Sequence, residues 1–480
     1  MEIQKHNNFQ TTIDTSLNEE ETSFFGFLKN NGYLFNDSIV ENFLLSLKVK
    51  PFVILTGNSG TGKTKLAQLF AKYLSKKIGD AEKSFIEIDV KVGKSYLSSN
   101  SGWSFKKEAF FNVYPHLRAY EGRYDIEVDG IVGEGKLEIA PRLFYDRNNE
   151  FITERLKMYA DEDPKKRVML KIFISEIDRL YDIVTVGANW TENRHIIGYL
   201  NAITNQYVST KSIDLIQLAS QNQHLPFFLI LDEMNLSHVE RYFSDFLSAM
   251  ESEEPISLHT SDEINTIPKQ ISIPQNIFVI GTVNVDETTY MFSPKVLDRA
   301  NTIEFLTMKP TQYSNDQNLP RSISKQIDYL ENPLSDIDVR MLKLKDFKSP
   351  FEKVTCGYGI EFWPKLLNEL DKFHAALAKP GFDFGFRVID EIIRFMFVAW
   401  KFENEPKNWL NWNRYFDAQI IQKILPKIHG SKKNLQGCLS ILAELCKYDQ
   451  SEEILYNESL RKINEMTQTL EDQRYVSFTK

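Results

Sequence analysis

Apolar runs bounded by polar residues divide this chain into alternating predicted strands and helices. Residues 52–55 form an apolar run, a glycine-rich segment follows, and apolar residues then recur at helical spacing over 66–74. Two later runs, at 227–231 and 277–283, are almost unbroken and apolar, as expected for strands that are buried on both faces. The pattern therefore predicts an α/β fold with a parallel sheet at its core.

The segment between the first strand and the first long helix has the composition of a phosphate-binding loop. Its eight residues are Gly57, Asn58, Ser59, Gly60, Thr61, Gly62, Lys63 and Thr64. Glycines allow successive backbone N–H groups to turn toward a phosphate chain, and the helix N-terminus adds a partial positive charge. Lys63 would neutralise the outer phosphates, and Thr64 would offer its hydroxyl to Mg²⁺. The alternative is a turn that only joins a strand to a helix, and the complete pattern favours the nucleotide site.

Two acids, Asp232 and Glu233, follow the apolar run at 227–231. At the carboxyl end of a parallel strand beside the phosphate loop, Asp232 would hold the hydrated Mg²⁺ and Glu233 would polarise the attacking water. An acid pair after a strand is weak by itself, because helix starts also favour acids. Together with the loop at 57–64, it predicts a site of nucleotide hydrolysis.

Two more polar residues are candidates for this chemistry. Asn284 ends the run at 277–283, where it would help to position the water; the alternative is a cap on the next turn. Arg299 lies near the end of a short predicted helix that begins at Pro294. An arginine there could reach the nucleotide of a neighbouring subunit. The alternative is a surface ion pair.

Changes in composition suggest six segments. We expect a flexible N-terminal arm (1–35), the first part of the nucleotide-binding domain (36–90), an inserted β-rich module (91–172), the remainder of the nucleotide-binding domain (173–308), a proline-marked connector (309–355) and an α-helical lid (356–480). The inserted module is rich in aromatic and basic residues, which could form a nucleic-acid surface. The favoured alternative is that the aromatics fill its core while the charges are solvated. For the basic residues at 420–433, solvation is likewise favoured over a contact with nucleic acid or a nuclease.

Composition limits the classes of function. The chain has 480 residues and a net charge of −9, which argues against nucleic-acid binding through global charge. Its three cysteines have no metal-ligand spacing. No run is long and apolar enough to cross a bilayer, and the first residues lack the features of a signal peptide. We therefore expect a cytoplasmic location and no membrane partner.

Four of these motifs resemble those of a known superfamily. The segments 57–64, 231–235, 281–284 and 296–299 are similar to the Walker A, Walker B, sensor 1 and arginine-finger elements of AAA+ ATPases. More narrowly, the segments 189–194 and 198–201 resemble McrB-type proteins, the motor subunits of McrBC-like modification-dependent restriction systems. In relatives of this kind, an arginine at the start of a lid helix reaches the terminal phosphate of the same or the adjoining subunit. Arg387 resembles that residue, with Arg394 as the competing choice and an ion pair as the alternative role.

The resemblance implies an AAA+ P-loop NTPase that uses Mg²⁺ and hydrolyses ATP or GTP. It also implies a ring of identical subunits, a hexamer, with a separate McrC-like nuclease subunit as partner and with DNA engaged through the assembly. The chain keeps Asn284 of the McrB signature but shifts the following acid to Asp286 and lacks the arginine, which favours ATP. We expect no N-terminal DNA reader of the kind usual in the family, so recognition of modified bases does not carry over.

The residues and the resemblance are compatible with two kinds of function. The first is a motor that couples hydrolysis to DNA translocation or remodelling and activates the nuclease. The second is a nucleotide-gated scaffold, or a MoxR-like protein-remodelling ATPase that has no nucleic-acid substrate. Glu233 favours hydrolysis, because a scaffold has no use for an acid that activates water.

Overall fold

A computed structural model describes most of the chain. The described residues are 23–81, 84–91, 102–104, 122–128, 131–138, 142–145, 158, 167–174, 180–261, 267–286, 290–307, 326–448 and 454–478. Most of the predicted arm (1–22), part of the connector (309–325) and the loops of the β-rich module lie outside them. Among the described helices, none combines the length and the apolar composition needed to cross a bilayer.

The described elements alternate between strands and helices along much of the chain. The strands are β1 (Phe52–Gly57), β2 (Ser84–Lys91), β3 (Gly102–Ser104), β4 (Gly122–Val128), β5 (Ile131–Glu138), β6 (Arg142–Tyr145), β7 (Arg167–Ile174), β8 (Tyr181–Thr185), β9 (Tyr199–Asn201), β10 (Gln206–Val208), β11 (Phe227–Asp232), β12 (Ile256–Ser257), β13 (Gln270–Ile271), β14 (Ile277–Asn284), β15 (Asn301–Phe305), β16 (His429–Ser431) and β17 (Tyr475–Ser477). The α-helices are α1 (Phe24–Asn30), α2 (Asp37–Val49), α3 (Lys63–Ala81), α4 (Arg194–Ile197), α5 (Lys211–Gln221), α6 (Val239–Tyr242), α7 (Ser244–Ser252), α8 (Pro294–Leu297), α9 (Ile327–Glu331), α10 (Leu344–Phe351), α11 (Phe362–Ala378), α12 (Phe386–Phe402), α13 (Trp412–Gln419), α14 (Lys432–Leu445) and α15 (Asn457–Gln473).

A five-stranded parallel sheet forms one core of the molecule. Its strand order is β15-β1-β14-β11-β8, and every neighbouring pair is parallel. All residues of β1 and β14 are buried, which explains why their sequences are apolar runs rather than alternating patterns. Phe70 of α3 packs edge to face against Phe228 of β11 and Phe43 of α2. The sequence's prediction of an α/β fold with a parallel core is confirmed.

The strand order determines which residues meet at the edge of the sheet. The next strand of this sheet after β1 is β8, which lies at one edge. The last strand, β15, lies at the other edge and pairs with β1. In the register of the sheet, Gly57 pairs with Asn284, and Leu231 pairs with Gly281. The carboxyl ends of β1, β14 and β11 therefore lie side by side, where open parallel sheets bind their ligands.

A second, six-stranded antiparallel sheet contains the described strands between residues 84 and 174. Its order is β2-β7-β4-β5-β6-β3. The sequence assigns 84–90 to the nucleotide-binding domain, but β2 pairs along its whole length with β7 of this sheet. The alternation of apolar and charged residues at 86–91 is the pattern of an antiparallel strand, not of a doubly buried parallel one. The strand therefore marks the start of the second sheet, and the parallel sheet resumes at Tyr181.

The C-terminal region is helical, as the sequence predicts. Helices α11 to α15 account for most of it, and β16 and β17 form a small antiparallel sheet. A π-helical turn at Ile420–Ile424 follows α13 and directs Lys423 into the interior. The favoured expectation of a solvated basic surface at 420–433 is wrong for Lys423 and Lys427, which are both buried.

Candidate nucleotide-binding site

The phosphate loop joins the end of β1 to the start of α3. Gly57, Gly60 and Gly62 have φ angles of 147°, 78° and 89°, which side chains rarely allow. A Cβ atom on Gly57 would lie 2.5 Å from the backbone oxygen of Phe305 on the neighbouring strand β15, whereas one on Gly60 would meet nothing within 4 Å. Gly57 is therefore required both by its backbone angle and by the close approach of β15.

Lys63 and Thr64 occupy the first turn of α3 and point toward the loop and the sheet. The Nζ atom of Lys63 is buried with its side chain and donates hydrogen bonds to the carbonyl oxygens of Gly57 at 2.8 Å and Asn58 at 2.6 Å. The hydroxyl of Thr64 donates to Oδ1 of Asp232 at 2.6 Å. The predicted cation and the predicted hydroxyl thus lie at the carboxyl edge of the sheet.

Thr282 is part of this site although the sequence did not identify it. Its hydroxyl donates to Oδ1 of Asp232 at 2.9 Å, and it accepts a hydrogen bond from the backbone N–H of Glu233 at 3.1 Å. The available signal was a polar residue within the otherwise apolar run at 277–283. Thr282 therefore holds the carboxylate of Asp232 and the backbone of Glu233 from the neighbouring strand.

Glu233 has an unusual backbone conformation. Its φ and ψ angles are 55° and 47°, the left-handed region, between β11 and a short 3₁₀ turn at Met234–Leu236. A residue other than glycine pays about 1–3 kcal/mol for such a conformation, and these residues cluster at functional sites. The side-chain amide of Asn284 donates to Oε1 of Glu233 at 3.4 Å. The two residues predicted to position a water molecule are therefore neighbours in space.

The oxygens around Asp232 suit a magnesium ion. The hydroxyl of Thr64 and the carboxylate of Asp232 are hard donors already in contact, and Mg²⁺ typically takes one or two protein oxygens besides phosphate and water. Among the described residues, no group of three or more His, Cys, Asp or Glu side chains could hold a metal ion. The donor set fits an ion that is shared with a nucleotide rather than one that is enclosed by the protein.

Arg299 and Arg387 lie away from these residues. Arg299 precedes β15, whose first residue Asn301 pairs with Val53, whereas Phe305 at the other end pairs with Gly57. A strand rises about 3.3 Å per residue, so the four steps from Asn301 to Phe305 separate the two ends of β15 by roughly 13 Å. Both arginines form ion pairs with Glu251 at the amino edge. The phosphate loop of the same chain is therefore out of their reach.

Arg394, the competing choice for Arg387, is engaged inside the protein. Its side chain is buried, and Nη2 donates to the carbonyl oxygen of Leu342 at 2.8 Å. An arginine fixed in this way is a structural contact to the segment before α10, so Arg387 is the better placed of the two for a contact outside the chain.

A buried charge cluster holds the segment that carries Arg299. Glu391 of α12 forms ion pairs with Lys50 and, at 2.6 Å, with Lys423. The carbonyl oxygen of Asp298 accepts hydrogen bonds from Lys50 at 2.9 Å and Lys423 at 3.3 Å. Lys423 also donates to the carbonyl oxygen of Ala300 at 2.8 Å. The backbone on both sides of Arg299 is therefore fixed to the C-terminal helices.

The cluster shifts the protonation equilibria of its members. Burial acts to raise the pKa of Glu391, but the adjacent Lys423 and Lys50 ammonium groups lower it to about 2. Burial lowers the pKa of Lys50 to about 7, and Glu391 opposes that change. The direction for Glu391 follows from the geometry, because two ammonium groups contact one carboxylate. Glu391 is therefore ionised at neutral pH.

Comparisons with known proteins concern the C-terminal part. Residues 314–475 match a family model described as a domain of unknown function, DUF8727. A comparison with curated proteins finds no match. The matched segment covers less than half of the chain and excludes the phosphate loop, Asp232, Glu233 and Asn284. It contains Arg387, Glu391 and Lys423, so the C-terminal part that holds the Arg299 segment is similar to this family.

Proposed function

We propose that this protein is a Mg²⁺-dependent nucleoside triphosphatase of the AAA+ class, with ATP as the preferred substrate over GTP. The observation that carries the proposal is the convergence of the 57–64 loop, Asp232, Glu233 and Asn284 at one edge of a parallel sheet. Their positions match the needs of phosphoryl transfer, in which the protein positions the reactants and stabilises charge.

Each side chain has a chemical role in this proposal. The loop N–H groups and Lys63 bind the phosphates, and Thr64 and Asp232 would hold Mg²⁺, which would neutralise charge on the phosphate oxygens. Glu233 orients the attacking water and accepts its proton, and Asn284 holds the carboxylate of Glu233 from 3.4 Å away. Thr282 supports both acids, because it donates to the carboxylate of Asp232 and accepts from the backbone N–H of Glu233.

The placement of the arginines supports an assembly. Arg299 and Arg387 lie at the amino edge, and the phosphate loop lies at the carboxyl edge. In a head-to-tail arrangement of copies, the amino edge of one subunit faces the nucleotide of the next, and closure of that arrangement gives a ring. We propose a homo-oligomer, a hexamer, in which these arginines act on the adjoining subunit's triphosphate.

The wider role we propose is that of the motor in a McrBC-like restriction system, cytoplasmic, acting on DNA together with a McrC-like nuclease. Its support is the resemblance of residues 189–194 and 198–201 to McrB-type proteins. Stimulation of hydrolysis by double-stranded DNA is the expected result for the purified chain. Hydrolysis that DNA leaves unchanged, and that an unfolded protein client stimulates, would favour a protein-remodelling ATPase instead.

Lys63→Ala tests the site directly. We expect the variant to lose binding of a fluorescent ATP analogue, because the phosphates lose their principal cation. The matched control is Lys76→Ala, which removes an exposed lysine from the same helix and should bind normally. Equal binding by wild type and Lys63→Ala would refute the proposed site.

Mixing variants tests the action between subunits. Lys63→Ala lacks a working loop, and Arg299→Ala lacks the arginine, so each alone should be inactive. In a mixture, some interfaces combine the intact loop of one variant with the intact arginine of the other, and part of the hydrolysis should return. Failure of the mixture, with both variants assembling normally, would contradict action across the interface.

A further inference from the structure

Glu251, near the end of α7, connects the two arginines of the amino edge. Its Oε2 atom accepts a hydrogen bond from Nη2 of Arg299, and its Oε1 atom accepts one from Nη2 of Arg387. The side chain of Arg299 is 16% exposed, that of Glu251 31% and that of Arg387 50%. One carboxylate on the surface thus uses both of its oxygens to hold guanidinium groups from two distant parts of the chain.

The three side chains line a cavity of about 390 Å³ at the amino end of β1. Cations dominate its lining, namely Lys50, Arg299, Arg340, Lys343, Arg387 and Arg394, against three acids. Lys50 is engaged by Glu391, and Arg340 and Arg394 donate to backbone carbonyl oxygens. The arginines whose ion-pair partner could be exchanged for an external anion are therefore those held by Glu251.

Arg299 retains capacity for a further acceptor. Its Nη1 donates to the carbonyl oxygen of Lys295 at 3.2 Å, while its buried Nε has no acceptor among the described residues. Burial, and then the charge of Arg387, lower the pKa of Arg299. Two guanidinium groups this close need an anion between them. Glu251 meets this need with the planar pair of oxygens that an arginine also finds on a phosphoryl group.

We propose that Glu251 is an internal competitor of the triphosphate. In the separate protomer its carboxylate occupies Arg299 and Arg387. On assembly the terminal phosphate bound by an adjoining copy displaces the carboxylate and takes both arginines. Glu251 itself touches no nucleotide. It determines whether Arg299 and Arg387 are free to bind the terminal phosphate. This inference rests on the proposed function and on the action of these arginines between subunits.

Hydrolysis should then depend on Glu251 in a particular direction. Glu251→Gln keeps the shape of the side chain and removes its charge, which weakens its hold on both arginines. The protomer concentration for half-maximal hydrolysis should fall by about tenfold, the effect of losing one charge-assisted interaction. Binding of a fluorescent ATP analogue to dilute protomers should not change, because the loop of the same chain is at the other edge.

The experiment measures ATP hydrolysis against protomer concentration for wild type, Glu251→Gln and Glu251→Ala, with Glu253→Gln as control. Glu253 lies two residues after Glu251 and is exposed. Glu253→Gln therefore removes the same charge from the same region. Both Glu251 variants should reach half-maximal hydrolysis at lower concentration, and Glu253→Gln should match wild type. Normal binding of the ATP analogue shows that each variant is folded.

Two results would overturn the inference while the proposed function stands. One is a concentration dependence of both Glu251 variants equal to that of wild type. The other is a loss of hydrolysis like that of Arg299→Ala, which would mean that Glu251 positions the arginines for catalysis. If wild type hydrolyses no nucleotide at any concentration, the proposed function fails, and this inference fails with it.

Discussion

The carboxylate of Asp286 accepts a hydrogen bond from the backbone N–H of Ser59 in the phosphate loop, with each oxygen 3.0 Å from the nitrogen. Phosphate-binding loops use such N–H groups for the phosphate chain. The acid therefore engages a donor that a nucleotide would use, and it places a negative charge beside the loop. If the loop binds a triphosphate as proposed, a phosphate oxygen would replace this carboxylate at the N–H of Ser59.

Asp286→Asn should strengthen nucleotide binding. The change removes the charge that repels the phosphates and weakens the competing hydrogen bond, so the Kd for an ATP analogue should fall by roughly 3- to 10-fold. Titration of the fluorescent analogue measures this Kd. Asp371→Asn, which removes an exposed acid from α11, should leave the Kd unchanged. A higher Kd for Asp286→Asn, which means weaker binding, would show that Asp286 supports the loop instead.

Gly57→Ala and Gly60→Ala form a matched pair. Both glycines have positive φ, and each alanine should lower the free energy of unfolding by about 1–3 kcal/mol for that reason. Only Gly57→Ala also places a Cβ atom 2.5 Å from the backbone oxygen of Phe305. We expect the urea unfolding midpoint to fall further for Gly57→Ala. Equal midpoints would contradict the close packing of β15 against the loop.

Stability should depend on pH through Glu391. Its pKa of about 2 in the folded protein lies below its ordinary value of 4.5, so its contribution is fully present above pH 4.5 and is lost as the pH falls toward 2. Urea midpoints measured from pH 7 down to pH 3 should show this loss in wild type and a smaller one in Glu391→Gln.

At pH 7, Glu391→Gln should lower the free energy of unfolding by about 3–5 kcal/mol, because it leaves the buried ammonium group of Lys423, and Lys50 beside it, without their carboxylate. The control is Glu444→Gln, whose side chain is 74% exposed and pairs with Lys447 on the surface. It should change stability by less than about 1 kcal/mol. A similar small effect for both variants would mean that the cluster does not hold the Arg299 segment.

The sequence predicted the carboxyl edge well because each of its residues follows a strong local pattern. Lys63 belongs to an eight-residue loop, and Glu233 and Asn284 come at the ends of apolar strands. Since parallel strands place their carboxyl ends on one side, local patterns were enough to bring these residues together. Thr282 was missed because one hydroxyl within a buried strand has no local pattern of its own.

Contacts between distant segments could not be predicted in this way. Asp286 and Ser59 are 227 positions apart, and Arg387 and Glu251 are 136 apart. Lys423 was expected to be exposed to solvent, because runs of charged residues usually are. It is buried instead, and its ion pair is with Glu391 of another helix. The alternation at 84–90 predicted a strand, but a local pattern does not identify the neighbouring strand, and β2 pairs with β7 of the antiparallel sheet.

We propose that Glu233 activates the water that attacks a triphosphate bound by the loop. The most direct measurement compares Glu233→Gln with wild type in binding of the ATP analogue and in ATP hydrolysis. We predict an unchanged Kd and a turnover reduced by about 10²- to 10⁴-fold, the contribution of a general base. Hydrolysis by Glu233→Gln at the wild-type rate would show that Glu233 does not activate the attacking water.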